Sequence, residues 1–211
     1  YAWEEKQLAD LWTDLDLLGS LTHYAGTLVL QKMGMTKQTR AGQVLTCYEV
    51  VDGQQRLTTC VILLNRLARA LESVPTEDAQ EAARELRRLV VVNVAGVETP
   101  RVQLGRDLRR FFESTILNDE AAETSDLQLG EKRLEKAARY FDARLDELTN
   151  GVTDAVKTMR LLRLRARISF QLRFTVYAVE SSDEVGVLFE TVNGRGKALT
   201  EIERVKNYLL Y

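Results

Sequence analysis

Tyr48-Glu49-Val50-Val51-Asp52-Gly53-Gln54-Gln55-Arg56-Leu57-Thr58-Thr59 decides how this chain is read. It begins as a short β-branched strand, breaks into a polar turn and continues as a helix. The helix is signalled by Val61, Leu64, Leu67, Ala68 and Leu71, spaced three and four apart. Asp52-Gly53 supplies the turn, because glycine adopts backbone angles that other residues resist. A turn that feeds a helix start presents unpaired backbone N–H groups and the positive end of the helix dipole, a geometry that binds anions and phosphate above all. Arg56 adds a planar fork of donors suited to phosphate oxygens. The same spacing also fits an ordinary strand-to-helix turn, with Asp52 as a helix cap and solvated glutamines.

Around this stretch the composition is that of an ordinary globular protein, 45% hydrophobic and 28% charged. A length of 211 residues suits one domain, or one with a large insertion, and a sizeable core. No apolar run approaches the roughly 20 residues of a membrane span. The first residue is Tyr rather than Met, so the chain reads as a fragment or processed product of a longer protein. Cys47 and Cys60 lie in apolar surroundings and are expected as buried, reduced thiols, which fits a cytoplasmic protein. With His23 the only histidine, the usual zinc ligand sets are too sparse. His23 itself fits the end of a loop beside a strand. A formal charge of −2 does not suggest a general nucleic-acid binder, so a local basic stripe would have to serve.

In chain order, residues 4–18 read as a helix with Leu8, Leu11, Trp12, Leu15 and Leu18 on one face. Tyr24 to Leu30 reads as a strand in which Gly26 allows close backbone approach. The polar stretch from Lys32 to Gly42 is expected as a hairpin loop, solvated or touching a phosphate backbone through Lys32, Lys37 and Arg40. A strand at 45–51 and a helix at 55–72 follow. Pro75 punctuates, Thr76 is a plausible N-cap, and a second helix runs through Ala82, Leu86 and Leu89. Val90 to Val94 suits a short strand or the end of that helix, and Pro100 and Gly105 mark a loop. Residues 106–117 look helical, and the acidic run 118–126 looks exposed. Residues 130–149 form the clearest helix, ended by Asn150-Gly151. Another helix begins near Thr153.

Residues 162–178 alternate apolar and polar, which predicts strand from about Ile168 to Val179 with helix over the first few residues. No acid occurs between Asp154 and Glu180, so Arg163, Arg165, Arg167 and Arg173 form the strongest basic stripe. It is a candidate DNA footprint, or else a solvated face paired with the acids of 119–126 and 180–184. Residues 183–192 read as a helix, 193–196 as a glycine-freed loop, and Thr200-Glu201-Ile202-Glu203 as a capping box that starts a last helix. No phosphate loop of the Gly-x-x-x-x-Gly-Lys-Ser/Thr type is present.

Val51-Asp52-Gly53-Gln54-Gln55-Arg56-Leu57-Thr58-Thr59 resembles the signature of the GmrS-type domain family, the N-terminal part of GmrSD modification-dependent restriction enzymes. A second block, Phe189-Glu190-Thr191-Val192-Asn193-Gly194-Arg195-Gly196-Lys197-Ala198-Leu199 followed by Lys206-Asn207, resembles the family's later pattern. Tyr1-Ala2-Trp3, and Tyr24-Ala25-Gly26 before the first apolar run, add weaker matches. The resemblance spans nearly the whole chain in the family's order. It implies an α+β fold, a ParB/sulfiredoxin-like small mixed sheet with a large helical insertion at about 76–160, filling residues 1–211 as one nucleotide-binding domain. It implies a nucleoside triphosphatase using ATP, GTP or CTP with Mg²⁺, partnered by DNA that carries a modification and by a nuclease domain or subunit outside this chain, with no membrane.

In that picture Gly53 shapes the turn, and the N–H groups of Gln54 and Gln55 and the side chain of Arg56 hold phosphates. Arg195 neutralises the transferring phosphoryl group. Asp52 holds Mg²⁺, directly or through water, or orients the attacking water. Asn193 and Asn207 fix sugar or phosphate, while Lys206 is a phosphate contact or an exposed helix lysine. The family's usual Tyr-Gln-Arg stretch before Tyr-x-Trp is absent here or cut off. Glu203 stands where Asp is more usual, and the chain stops where members often continue into a His-Asn-His nuclease. Two rival readings are a non-catalytic, nucleotide-switched DNA-binding module and an interaction scaffold that has lost the pocket.

Overall fold

The computed structural model describes residues 1–19, 21–121, 126–181 and 184. The fold is α+β. Helix α1 (Glu5–Leu17) leads into strand β1 (His23–Gln38), strand β2 (Val44–Asp52) and helix α2 (Gln54–Glu72). Helix α3 (Glu77–Val90) precedes a small hairpin, β3 (Val91–Val94) and β4 (Val97–Pro100). Helix α4 (Arg106–Phe111) continues as a π-helical segment, Phe112–Leu117. Helices α5 (Leu129–Thr149) and α6 (Asp154–Ala166), a second π-helical segment (Arg167–Gln171) and strand β5 (Leu172–Val179) complete it. The main sheet has the order β2-β1-β5, with β1 antiparallel to β2 and parallel to β5, so it is the small mixed sheet expected. The helices expected over residues 183–192 and from Thr200 lie outside the described residues. Among the described residues no helix is long and apolar enough to cross a membrane.

Helix α2 is the spine of the core. Ile62, Leu63, Leu67, Ala68 and Leu71 are fully buried, and Leu86, Leu134, Phe141 and Leu161 of α3, α5 and α6 close around them. Four polar residues on α2 are also buried, Thr58, Thr59, Asn65 and Arg66. The Asn65 amide donates to the carbonyls of Ile116 and Leu117 at 3.0 and 3.3 Å, and its oxygen accepts from Arg87 Nη1 at 2.8 Å. These bonds satisfy carbonyls at the end of the first π-helical segment, which otherwise face no intrahelical donor. That segment's wider winding turns Phe112, Ile116 and Leu117 into the core together.

The acidic stretch after it is exposed at residues 118–121 but not merely solvated. Asp119 accepts from Arg66 at 2.8 Å and lies 3.1 Å from Arg69 Nη1. The hydrogen bond from Arg66, then the charges of Arg69 and Arg66, hold its carboxyl below the ordinary value against a smaller opposing desolvation.

Three local expectations are corrected. The polar stretch from Lys32 is not loop, because β1 continues to Gln38 and pairs Thr36 with Thr46, Lys37 with Leu45 and Gln38 with Val44. Backbone pairing alone extends this ribbon, and its exposed side chains give no apolar alternation to read. The strand expected from Ile168 begins at Leu172. The alternating pattern also contains a helical set, Leu161, Leu164 and Ile168, which are the residues buried; the helix and its π-helical extension use that set. Thr76 occupies the N-cap of α3, but its hydroxyl pairs with Thr158 at 2.8 Å instead of capping. Cys60 is buried, and burial pushes its thiol up to about 12, whereas Cys47 is only half-buried.

The Asp119 bridge predicts a pH signature. A depressed carboxyl contributes stability that is present above the unfolded value, near pH ~3.9, and lost as pH falls through the folded one. Asp119→Asn is expected to be less stable at neutral pH and to lose stability less steeply below about pH 4 than the wild type. Urea unfolding across a pH series measures both, and parallel acid limbs would show that Asp119 is not the linked group.

Candidate functional site

The strand-to-helix turn is built by close approach. Gly53 is the N-cap of α2 in the left-handed region, at φ 85° and ψ 9°. A Cβ placed there would sit 2.4 Å from Leu28 Cδ2 and 2.8 Å from the Thr27 carbonyl. Position 53 therefore admits only glycine on two grounds, backbone conformation and space. Asp52 does not cap the helix; it ends β2, in register with Val29, and its carboxylate makes no hydrogen bond or ion pair among the described residues. Leu57 N–H donates to the Gly53 carbonyl at 3.0 Å, so the earlier N–H groups of Gln54, Gln55 and Arg56 have no acceptor within the helix.

The side chains of the turn are held in place. Gln54 Nε2 donates to the Val50 carbonyl at 2.6 Å, and Gln55 Oε1 accepts from Ala2 N–H at 2.8 Å. Arg56 Nη1 donates to the Thr27 carbonyl at 3.2 Å, and the guanidinium lies flat against Gly26. Gly26 has φ 109°, and a Cβ there would come within 3.0 Å of Arg56 Nε. The close approach expected of Gly26 is thus made by the Arg56 side chain. Beside it the Tyr24 hydroxyl hydrogen-bonds Thr27 at 2.8 Å; bonds from Thr27 and Thr175, then Arg56, draw its phenol below the ordinary value.

The N-terminal segment completes the wall. Thr59 donates to the Gln55 carbonyl at 2.8 Å, so in its 2.6 Å bond with Tyr1 the tyrosine hydroxyl is the donor. Burial pushes the Tyr1 phenol up to about 12. Trp3 and the run Val51–Arg56 then line a cleft of about 260 Å³. Apart from the close approach expected at Gly26, Tyr1-Ala2-Trp3 and Tyr24-Ala25-Gly26 stand out in the sequence only through family likeness. Their contacts with a turn some 50 and 30 residues away leave no local signal.

Charge distinguishes this turn from the other helix starts. The five other α-helices of the described residues each carry an acid in the first turn: Glu5, Glu77 and Asp78, Asp107, Glu131 and Asp154. Helix α2 carries none, and Arg56 stands there instead. A cation at the positive end of the dipole is unfavourable by roughly 0.3–1 kcal/mol. An anion in the cleft reverses that sign. Among the described residues no group of three His, Cys, Asp or Glu is placed to hold a metal by itself. One free carboxylate beside an anion cradle does suit Mg²⁺ that arrives on phosphates, since that ion commonly keeps its waters and takes one or two protein carboxylates.

The remaining candidate residues fall elsewhere. Arg195, Asn193, Lys206 and Asn207 lie outside the described residues. Arg163, Arg165 and Arg167 are on α6 and its extension and Arg173 is on β5, so they share no single element. Arg165 pairs with Glu85 and Arg167 with Asp16 at 3.4 Å, neither acid lying in the stretches expected to neutralise them. His23 opens β1 and lies 3.3 Å from Asp14.

The two glycines separate fold from site. Gly53→Ala is expected to cost on the order of 2 kcal/mol or more, because the clash is with backbone as well as side chain. Gly26→Ala is expected to cost less, about 1 kcal/mol, and to displace Arg56. Thermal unfolding ranks the two, and an equal loss would contradict this geometry.

The family described as GmrSD restriction endonuclease, N-terminal domain, matches over residues 1–210. No curated protein matches the chain significantly. A match over essentially the full length agrees with the order of the motifs that surround the cleft, and the chain belongs to the GmrSD restriction endonuclease N-terminal domain family.

Proposed function

We propose that this chain is the nucleotide-binding and nucleotide-hydrolysing sensor of a restriction system, coupling hydrolysis of a nucleoside triphosphate to recognition of modified DNA while a separate domain or subunit cuts. Family membership supports the restriction system and DNA as its substrate. The observation that carries the nucleotide half is the first turn of α2. It has open N–H groups, no acid, and an arginine held by Gly26 and Thr27.

In this reading the N–H groups of Gln54 and Gln55 and the free donors of Arg56 take phosphate oxygens. Asp52 either binds the Mg²⁺ carried by the phosphates or orients the water that attacks the terminal phosphorus. Bound Mg²⁺ would offset charge on the phosphate oxygens. Arg195, with Asn193, Asn207 and Lys206, enters from sequence likeness as the opposite side of the site. Attack by water forms one P–O bond and breaks the bridging one, releasing phosphate and a diphosphate. ATP, GTP and CTP are all compatible with a cradle that touches phosphates alone.

A second reading has its own support. The Gln54 and Gln55 side chains are engaged by Val50 and Ala2 and so do not reach an attacking water. Nucleotide would then act as a conformational ligand of a DNA-binding module.

Calorimetry with Mg²⁺ and each nucleotide tests the cradle. Arg56→Ala is expected to weaken binding at least tenfold, about 1.4 kcal/mol. Asp52→Asn is expected to abolish DNA-stimulated phosphate release in a protein that still folds. Release unchanged in both variants would refute these roles, and tight binding without release would favour the second reading.

A further inference from the structure

Arginine is concentrated between residues 84 and 110, away from the cleft and from the stripe that sequence singled out. Arg87 is used internally, in a bidentate pair with Glu72 and a bond to Asn65. Arg84, Arg88, Arg101, Arg106 and Arg109 are exposed, and no described carboxylate pairs with any of them. The acids of the same stretch are Glu85, which is paired with Arg165, and Glu98 and Asp107. Arg88 and Arg109 stand in the last turns of α3 and α4, where the helix dipole favours a cation, but like charges three and four apart oppose folding, so the pairs Arg84 with Arg88 and Arg106 with Arg109 gain little for stability.

These residues share one structural setting. Arg101 Nε donates to the Arg88 carbonyl at 2.8 Å, and its N–H donates to the Val90 carbonyl at 2.9 Å, which ties the end of β4 to the end of α3. Arg109 Nε donates to the Leu104 carbonyl at 3.3 Å. In both, the terminal nitrogens make no hydrogen bond among the described residues, so the fork is anchored by Nε alone. Arg106 and Arg109 border a groove of about 360 Å³ with Arg110, Ser114 and Asn118, in which Glu113 is the one acid against three arginines.

Between the two arginine groups stands the β3–β4 ribbon, turned by Ala95 and Gly96 at φ 51° and 92°. Its far end meets the β1–β2 turn. Thr39 bridges Val94, and Arg40 N–H donates to the Asn93 carbonyl at 3.3 Å, so exposed Arg40 flanks the ribbon tip. A two-stranded ribbon is of a size that the DNA major groove admits, and guanidinium forks at both ends suit phosphates of the flanking strands.

We infer that the end of α3, the β3–β4 ribbon and α4 form a duplex-DNA contact that holds the phosphate backbone through Arg88, Arg101, Arg106 and Arg109. By contrast, in the helical part of the other stripe Arg165 and Arg167 are paired with carboxylates, which leaves Arg163 without a carboxylate partner among the described residues. The inference rests on the DNA half of the proposed function and is independent of the nucleotide half.

The test is fluorescence anisotropy of a labelled duplex against salt concentration, for the chain, an Arg88→Gln/Arg101→Gln/Arg106→Gln/Arg109→Gln variant and an Arg163→Gln/Arg173→Gln variant. The fourfold variant is expected to bind at least tenfold more weakly. Its log–log salt slope should fall by roughly 3–4, at about 0.9 per lost phosphate contact. The twofold variant should stay within about twofold of the wild type. An Arg106→Gln/Arg109→Gln variant, altered only on α4, gives an intermediate loss and guards against a folding defect. Unchanged binding by the fourfold variant, a larger loss in the twofold variant, or no duplex affinity in the folded wild type would each overturn the inference. Nucleotide calorimetry on the same proteins reports separately on the cleft, so the two readings fail independently.

Discussion

Everything near the cleft depends on the absence of one Cβ. At Gly53 the chain leaves β2 and enters α2 in a single left-handed residue, against the backbone of β1 at Thr27 and Leu28. A longer turn would let the helix drift from the sheet. This one ties the helix start to Asp52, Thr27 and Gly26 at once, which is how a free carboxylate, a first turn of open N–H groups and an arginine fork converge. Preorganisation of this kind is what makes a helix start a usable anion cradle and not merely a capped end.

The same helix then supplies the core, and its polar residues show two treatments of charge. Arg66 is buried and spends its charge on Asp119, with Asp142 also 3.7 Å away. There burial raises the Asp142 carboxyl while the nearby Arg66 opposes it. Such pairs constrain geometry more than they stabilise, because desolvation offsets much of the attraction. Arg56, one helix stretch earlier, has no carboxylate partner among the described residues. Charge that is neutralised within the protein serves architecture; charge left open and yet positioned is available to a ligand.

Legibility from sequence followed the range of the interactions. The turn, α2, α5 and the mixed α+β class rest on local signals: Gly53, a three-and-four apolar spacing, and Asn150-Gly151 at a helix end. The length of β1 did not, because its outer half is paired through backbone and exposes both faces. The hairpin β3–β4 was half seen, as valines at 90–94, but its turn is formed by Ala95, a residue that rarely takes positive φ, so no common turn dipeptide announced it. The stretch 162–178 satisfied both periods, and which residues are buried was settled by the neighbouring helices. Within the cleft, Asp52 to Arg56 were readable as one run. Tyr1 and Trp3 were not, and Gly26 announced a close approach without its partner, since these roles exist only once distant segments meet.

Strand β1 has a span that the sheet alone does not need. Thr27 touches Arg56 at the cleft, and twelve residues later Thr39 touches the β3–β4 ribbon. At about 3.3 Å per residue that is roughly 40 Å of continuous strand. Paired with β2, it is a beam held at both ends, with irregular pairing between Val29 and Leu30 and again between Lys32 and Thr36. A small rotation imposed at the clamped foot is carried as torsion to the tip, and the irregular pairing sets how much of it arrives.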